Sequence, residues 1–354
     1  MKIAIDYRLA ASSNRGMARY CREIVKELFA LDKKNQYFLL ASTIPEDIKL
    51  PDNFSFYKLS YSNFILSEQL SLPKAVNEIE PDILWCPSNT FPIKKLKRTK
   101  LVVTIHDLIF FNKSKEKNSL YKQIGKSYRK FVLKFFSRNI DHYFTVSQYS
   151  NNEILSRLKL KCTGDVTVNC LSKEFLKKCN TVDVKKRESF YYTVSGDSPS
   201  KNLNFLISAF NNELENEKLY IAGLSKNSPM RDKASENIVF LPAGMSDEEL
   251  ITYYKKCKAF IFPSLEEGFG IPIIEALACN TKVLCSNASC LPEIIEEQGL
   301  LFDPNDTASL VNAVKNIKKH RFSYDVSKYE SWKKTAKIVY NYFSKEADKW
   351  TSVS

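Results

Sequence analysis

The chain has 354 residues, 44% hydrophobic and 26% charged, a composition that suits a soluble globular protein with two cores of fair size. Its formal charge is +13, with a pI near 9.1, which favours anionic partners such as nucleotides, nucleic acid or acidic lipid surfaces. No apolar stretch is long enough to span a bilayer, MKIAID opens as a strand and not as a signal peptide, and nine cysteines without a CxxC pair argue for reduced thiols in a cytoplasm, against a disulfide scaffold or zinc site.

Residues 2–6 are the first expected strand. Residues 8–13 read as a mostly polar loop. RGMARYCREIVKELFAL follows, with Met17, Tyr20, Ile24 and Leu28 at helical spacing and Gly16 at the helix entrance. Strand, glycine loop, helix is an anion-friendly start, because helix amides and the positive dipole end face the sheet mouth. Residues 36–40 and 53–59 are further strands, and 65–77 reads as helix, kinked or split by Pro73. PDILWCPSNT gives a strand running into a polar loop. Residues 101–106 (LVVTIH) form a fully buried strand by composition, ending at His106 and Asp107. A lone histidine at a strand end is usually structural. His106, however, sits beside a carboxylate at the carboxyl edge of a parallel-sheet strand, where α/β ligand sites lie. His142 and His320 read as structural, and three histidines in all make a histidine-rich metal centre unsupported.

Residues 113–138 are the most basic stretch. Lys113, Lys115, Lys117, Lys122, Lys126, Arg129, Lys130, Lys134 and Arg138 face only Glu116, and Tyr121, Ile124, Tyr128, Phe131 and Phe135 recur at steps of three and four. This is a basic amphipathic helix whose apolar stripe either packs on the core or faces outward. Residues 141–146 (DHYFTV) are a strand leading into SQYSNNEIL, where Ser150 and Glu153 have capping-box spacing. Residues 165–168 are the strand that closes the first domain. Residues 173–189 are charged and poorly periodic, so the domain boundary is placed there, near 185.

The second domain opens on strand 190–194, passes through Ser195 and Gly196, and enters helix 203–210 with Lys201 at its start. Strands 218–222, followed by Gly223, and 238–241 come next, with Met245 just before an N-cap at Ser246. Residues 259–262 (AFIF) are a buried strand. PSLEEGFGIPIIEALA then reads as a loop with Gly268 and Gly270 and a helix with Pro272 in its first turn, where a missing N–H costs nothing. Glu267 precedes the loop and Glu275 is expected in the first helical turn, seven residues intervening. Beside a phosphate site, the natural partners of such carboxylates are hydroxyls of a sugar or a ribose. Asn280 suits a left-handed helix stop. Strands 282–286 and 299–303 follow, and the tail SYDVSKYESWKKTAKIVYNYF is amphipathic, with Tyr329, Trp332, Ile338 and Tyr342 available for burial. No Asp-x-Asp triplet is present to hold a metal–diphosphate complex.

EGFGIPIIEALAC, followed by SNASCLPEI, resembles the signature of retaining glycosyltransferases that use nucleotide-sugar donors on the two-domain GT-B architecture, the mannosyltransferase-like members of group 1 included. The acidic pair matches that family's Glu-x7-Glu motif. The resemblance covers most of the chain and is strongest over 190–345. It implies an α/β fold of two Rossmann-like domains: residues 1–185 binding the acceptor, 186–325 binding the nucleotide sugar, and a helix in 326–354 crossing back to the first domain, with the active site in the intervening cleft. It also implies residue roles. Glu267, with Phe269, Gly270 and Ile271, would hold the donor sugar; Glu275 the ribose; His106 the sugar near its reacting carbon; Lys201, with Asn202 beside it, the diphosphate; and Ala243, Gly244 and Met245 the nucleobase. Gly16 and Arg19 would lie near the donor. Two positions depart from the family pattern. Ala18 stands where a second glycine is usual, and Gly196 where many members have an arginine, which leaves Lys201 as the phosphate cation unless Lys226 or Arg231 substitutes.

The expected activity is transfer of a sugar, mannosyl-type donors favoured, from a nucleotide diphosphate sugar to a hydroxyl of a growing, lipid-linked cell-surface polysaccharide such as O-antigen or capsule, with retention of configuration. His106 and Glu267 are the expected catalytic residues, and no carboxylate is marked as a nucleophile of the glycosidase kind. No metal and no cofactor beyond the donor are expected. The expected partners are the donor, the saccharide acceptor and an anionic membrane surface reached through 113–138, which would place the enzyme peripherally on the inner face of the cell membrane. Nucleic acid is not expected, since no helix-turn-helix or RNA-binding signature is present. The alternatives are an epimerase or hydrolase of nucleotide sugars on the same fold, or a basic nucleic-acid-binding protein.

Overall fold

The computed structural model describes residues 1–12, 16–43, 49–112, 120–184 and 186–351, without the side chains of 120–122 and 349–351. Seven strands carry the first unit: β1 (Lys2–Asp6), β2 (Gln36–Ala41), β3 (Phe54–Lys58), β4 (Ile83–Cys86), β5 (Lys100–Thr104), β6 (His142–Thr145) and β7 (Gly164–Val166). Their order is β3-β2-β1-β4-β5-β6-β7, every pair parallel. The strands β4 and β6 are buried at each residue, as a parallel sheet covered on both faces requires. The chain winds outward from β1 on one side and from β4 on the other, so the switch point lies between these two. Helices Gly16–Leu31 and Trp332–Thr351 pack on one another. Their buried residues follow the helical period: Tyr20, Ile24 and Leu28 on one, Trp332, Ala336, Val339 and Phe343 on the other. The Tyr20 ring meets Trp85 and Trp332 edge-on, at centroid distances of 6.5 and 6.0 Å.

The second unit has β8 (Phe190–Val194), β9 (Lys218–Ala222), β10 (Ile238–Phe240), β11 (Ala259–Phe262), β12 (Val283–Ser286) and β13 (Leu300–Phe302), ordered β10-β9-β8-β11-β12-β13 and again all parallel. Its switch point lies between β8 and β11. Phe210, Leu219, Ile221, Ile261 and Leu284 are among the residues of its core.

Several expectations are corrected. The boundary expected near 185 falls after Asn169, and the second unit runs Cys170–Ser331. The charged segment that suggested a linker holds a helix, Lys173–Thr181, capped by the Ser172 hydroxyl. It belongs to the second unit because Phe175 is fully buried there and Lys255 Nζ donates to the carbonyls of Cys179 and Val182 at 2.6 and 2.7 Å. The chain from Trp332 returns to the first unit. Of the loop expected over 8–13, Arg8–Ser12 is instead a short helix with Arg8 buried, and residue 13 lies outside the described residues. The segment around Pro73 is continuous helix with one wide turn, where the Leu72 amide donates to the Ser67 carbonyl five residues back, just before the proline that has no amide to give. Ser150 is not an N-cap; Ser147 is, accepting from the Ser150 amide at 3.1 Å, and Glu153 instead pairs with Arg157 at 2.9 Å. Helix Leu120–Phe136 accounts for the basic stretch, of which Lys113, Lys115, Glu116 and Lys117 lie outside the described residues. Its core side is Val132 and Leu133, while Ile124, Phe131 and Phe135 of the expected stripe are exposed.

Candidate functional site

In the second unit the chemistry gathers where β8 and β11 end. The strand β8 runs into a single tight turn, Pro199–Lys201, and Asn202 at φ 55° opens helix Leu203–Asn212. From β11 the chain passes through 263–270 into helix Ile271–Ala278. Gly270 stands at φ 103°, and a Cβ there would lie 2.9 Å from Leu291 Cδ2, so the turn admits glycine on both backbone and packing grounds. No side chain caps this helix, and Pro272 sits in its first turn. Its N-terminus is therefore an open, positively polarised end. The two loops are tied together by the Leu265 amide donating to the Ser200 carbonyl at 2.7 Å.

This arrangement brings Lys201 and Glu267 into direct contact, Nζ to Oε1 at 2.6 Å. Lys201 Nζ also lies 5.7 Å from the Phe262 ring centre. The Glu267 backbone is fixed by the next strand's loop: its amide donates to Ser289 Oγ at 3.1 Å, and the Cys290 thiol donates to the carbonyls of Glu267 and Phe269 at 3.3 and 3.2 Å. Ser289 and Cys290 thus position the glutamate, a role the SNASC string did not disclose. Phe269 is buried, edge-on to Tyr329 at 5.7 Å, so its backbone and not its ring faces the mouth's chemistry.

Glu275 is on the second turn of its helix, not the first as expected, because the helix begins at Ile271. It is almost wholly buried and accepts from the Tyr254 hydroxyl at 3.2 Å. Ala243, Gly244 and Met245 follow β10 at the edge of the sheet, with Gly244 at φ 76° and exposed, ahead of a capping box between Ser246 and Glu249. Arg231 stacks on Phe240 at 4.8 Å and donates to the Ser225 carbonyl, while Lys226 is exposed.

In the first unit His106 lies just past β5. Its amide donates to Asn89 Oδ1 at 2.7 Å, and its carbonyl accepts from Ser150 Oγ at 3.1 Å. Nε2 is 3.2 Å from the Pro87 carbonyl, so that nitrogen carries the hydrogen and Nδ1 is left as an acceptor. Burial brings its pKa down to about 4, against the Pro87 carbonyl, which acts upward, so the ring is neutral at pH 7. Tyr20, on the helix that Gly16 opens, meets the imidazole edge-on at 4.9 Å. Arg19 is half-buried on the same helix.

Sequence reasoning missed a buried ionic cluster at the β1–β4 switch point. Arg8 Nε and Nη2 each donate to one Asp6 carboxylate oxygen at 2.8 Å, and Nη2 is 2.9 Å from Glu68 Oε2. Glu68 Oε1 accepts from Thr90 at 2.7 Å and also from the Tyr128 hydroxyl. Burial opposes the Arg8 charge, but Asp6 and Glu68 more than offset it and its pKa is raised; burial also raises the Glu68 carboxyl, against Arg8, Tyr128 and Thr90. The available signal was Asp-x-Arg at a strand end, which places both side chains on one side. Glu68, on the wide helical turn, had none.

Two family models match the chain: Glycosyltransferase Family 4 over residues 14–168 and Glycosyl transferases group 1 over residues 177–339. The O-antigen chain mannosyltransferase RfbU of Salmonella typhimurium is 26% identical over 299 residues, 78% of this chain and 83% of the relative. The O-antigen chain mannosyltransferase B of Escherichia coli is 25% identical over 331 residues, 83% of this chain and 84% of the relative. Among solved structures, the lipopolysaccharide outer core galactosyltransferase WaaB superposes with a TM-score of 0.65 at 15% identity, over 98% of this chain and 100% of that one. Anabaena Alr3699/HepE, in complex with UDP and glucose, does so with a TM-score of 0.65 at 15% identity, over 97% and 99%. The two family models and these likenesses agree: the chain is a glycosyltransferase of the GT-B architecture, with a Glycosyltransferase Family 4 domain over 14–168 and a Glycosyl transferases group 1 domain over 177–339.

Proposed function

We propose that the protein transfers mannose from a nucleotide diphosphate mannose to a hydroxyl of a lipid-linked saccharide, with retention of configuration, in the assembly of an O-antigen-like polysaccharide. The observation that carries this reading is the Lys201–Glu267 contact at the uncapped N-terminus of helix Ile271–Ala278. Lys201 and that helix end neutralise charge growing on the departing diphosphate. Glu267 accepts hydrogen bonds from the donor sugar and fixes its orientation. Glu275 takes the ribose. His106, neutral at pH 7, offers Nδ1 as an acceptor to the sugar without adding a positive charge beside an oxocarbenium-like centre. The mannosyl choice rests on the two O-antigen mannosyltransferase relatives. Charge neutralisation by Lys201 and the helix end supports a metal-independent reaction.

Lipid linkage is supported by helix Leu120–Phe136. Ile124, Phe131 and Phe135 are 50%, 48% and 61% exposed, and Lys134 Nζ lies 5.6 Å from the Phe135 ring. Exposed aromatics beside lysines suit the boundary of an anionic membrane. Among the described residues no helix is long and apolar enough to cross a membrane.

A panel of nucleotide sugars, scored by thermal stabilisation and by transfer to a lipid-diphosphate saccharide, tests the reading. A nucleotide diphosphate mannose should stabilise the protein most, and the product linkage should be axial at the transferred carbon. Stabilisation by another sugar nucleotide alone overturns the donor assignment. An inverted product overturns retention.

A further inference from the structure

Helix Leu120–Phe136 has a second row of cations, distinct from its exposed aromatic face. Lys126, Arg129 and Lys130 stand at positions i, i+3 and i+4 and converge on the turn Ile109–Phe111, which follows His106 and Asp107 at the carboxyl edge of β5. Lys126 Nζ donates to the Asn112 carbonyl at 3.0 Å. Lys130 Nζ donates to the Phe111 carbonyl at 3.3 Å and lies 5.8 Å from that ring's centre. The Arg129 guanidinium lies 5.5 Å from the Phe110 ring centre, and its buried Nε has no hydrogen-bond partner among the described residues. From helix Gln148–Arg157, Arg157 Nη1 donates to Asn112 Oδ1 at 2.8 Å while its Nε pairs with Glu153. Four cations from two helices therefore surround one turn. Lys130 rests on a neutral carbonyl and a ring face and Arg129 on a ring face, with no carboxylate in ion-pair contact among the described residues. Burial lowers the Arg129 pKa and Asp107 acts against it, so the half-buried guanidinium is electrostatically under-compensated. Carbonyls and ring faces hold cations loosely and orient them, which is how a site for an exchangeable anion differs from a structural ion pair.

We propose that Arg129 and Lys130, with Lys126 and Arg157, form a phosphate-ester site in the first unit, separate from the Lys201 mouth and suited to a phosphate or diphosphate carried by the acceptor. The cation row fits this ligand chemistry because a guanidinium and two ammonium groups supply several charge-assisted donors at one place. The acceptor assignment rests on the proposed glycosyl transfer; the phosphate chemistry does not.

The test is calorimetric titration of inorganic pyrophosphate into full-length K201Q protein, in which the other phosphate mouth is weakened. Adding R129Q and K130Q should raise the dissociation constant about tenfold or more, the scale of losing charge-assisted contacts. R129K/K130R, which keeps both charges, should restore most of the binding and shows that the loss is not unfolding. An unchanged constant in the R129Q/K130Q background overturns the site. Co-sedimentation with phosphatidylglycerol vesicles separates the sources: if R129Q/K130Q weakens vesicle binding but leaves pyrophosphate binding intact, the cations serve a lipid surface and the discrete site is wrong. With transfer as readout, the ratio of kcat/KM for a diphosphate-linked acceptor over the same saccharide as a neutral glycoside should fall about tenfold in R129Q/K130Q. An unchanged ratio overturns the acceptor as the source. Absence of transfer from any nucleotide sugar would overturn the glycosyl-transfer reading and leave the pyrophosphate titration to decide the site.

Discussion

His106 should remain neutral far below the pH at which a free histidine gains its proton. Its side chain is buried, and the partner of its Nε2 is a backbone carbonyl, not a carboxylate. Burial lowers the pKa to about 4 from the ordinary 6.5. The unfolded chain therefore binds this proton first as pH falls. The stability held by the neutral ring is fully present above pH 6.5 and is lost as pH falls through about 4. The gap of about 2.5 pH units, at 1.36 kcal/mol each, makes a loss of about 3 kcal/mol across that window. With three histidines in the chain, the carbon-bound imidazole protons can be followed one by one by NMR against pH, and His106→Asn assigns the signal by deleting it. The His106 signal should not move between pH 8 and roughly 5.5, and the wild type should lose more stability than the variant between pH 7.5 and 4.5. A midpoint at or above 6.5 would refute the reasoning, because burial would then not govern the ring and its neutrality at pH 7 could not be assumed in the transfer step.

The remaining predictions concern the second unit and the exposed helix face. Glu267→Ala should lower turnover roughly a hundredfold or more with little change in nucleotide affinity, the scale of losing one preorganised group, whereas Glu275→Gln, which keeps an acceptor for Tyr254, should weaken nucleotide binding and nearly hold turnover; equal loss of nucleotide binding in both would sink the assignment. Transfer should proceed in excess EDTA, and activity abolished by EDTA and restored only by magnesium or manganese would show that Lys201 and the helix end do not neutralise the diphosphate. Gly270→Ala should destabilise the second unit by roughly 1–2 kcal/mol and weaken nucleotide binding, since its Cβ would press on Leu291 at a backbone angle that disfavours side chains; an unchanged melting curve counts against that strain. Replacing Phe131 and Phe135 by Ser should reduce co-sedimentation with anionic vesicles at low salt, and an unchanged sedimented fraction removes this helix from the membrane reading.

The parallel sheets were legible because their strands are short apolar runs followed by glycine or polar loops, a pattern that local sequence carries completely. The mouth at Gly270 was legible for the same reason: a left-handed glycine, a first-turn proline and the preceding glutamate are neighbours in the chain. What could not be read depends on distance along the chain. Glu68 reaches Arg8 across sixty residues from a wide helical turn, and no local pattern announces such a turn. Ser150 had capping-box spacing yet lost the cap to Ser147, because its own hydroxyl is drawn to the His106 carbonyl. The stripe on helix Leu120–Phe136 had the period of a core face, but period gives only a direction around the axis. The sheet took Val132 and Leu133, which left the aromatic edge outside.

The departure at Gly196 bears on what the Lys201–Glu267 pair does. With glycine there, a cation that many family members carry is missing, and Arg231 is engaged with Phe240 and the Ser225 carbonyl. On the proposed reading a nucleotide diphosphate then meets Lys201 and about half a charge from the helix end, with the exposed Lys226 as the remaining candidate cation. Lys201 is itself paired with Glu267 at 2.6 Å. Both side chains are partly exposed, so parting them costs little beyond the modest value of a solvated ion pair. On the proposed reading, donor binding exchanges this one contact for two: Lys201 turns to the phosphate, and Glu267, held by Ser289 and Cys290 at its backbone, accepts hydroxyls of the sugar. The pair then keeps an isolated carboxylate from repelling the incoming diphosphate, and releases it as an acceptor only when a sugar is present to take it. Nucleotide diphosphate lacking its sugar should accordingly bind more weakly than the full donor in calorimetric titration, because without the sugar Glu267 would be left facing the phosphates without a partner, and equal or tighter binding would refute this exchange.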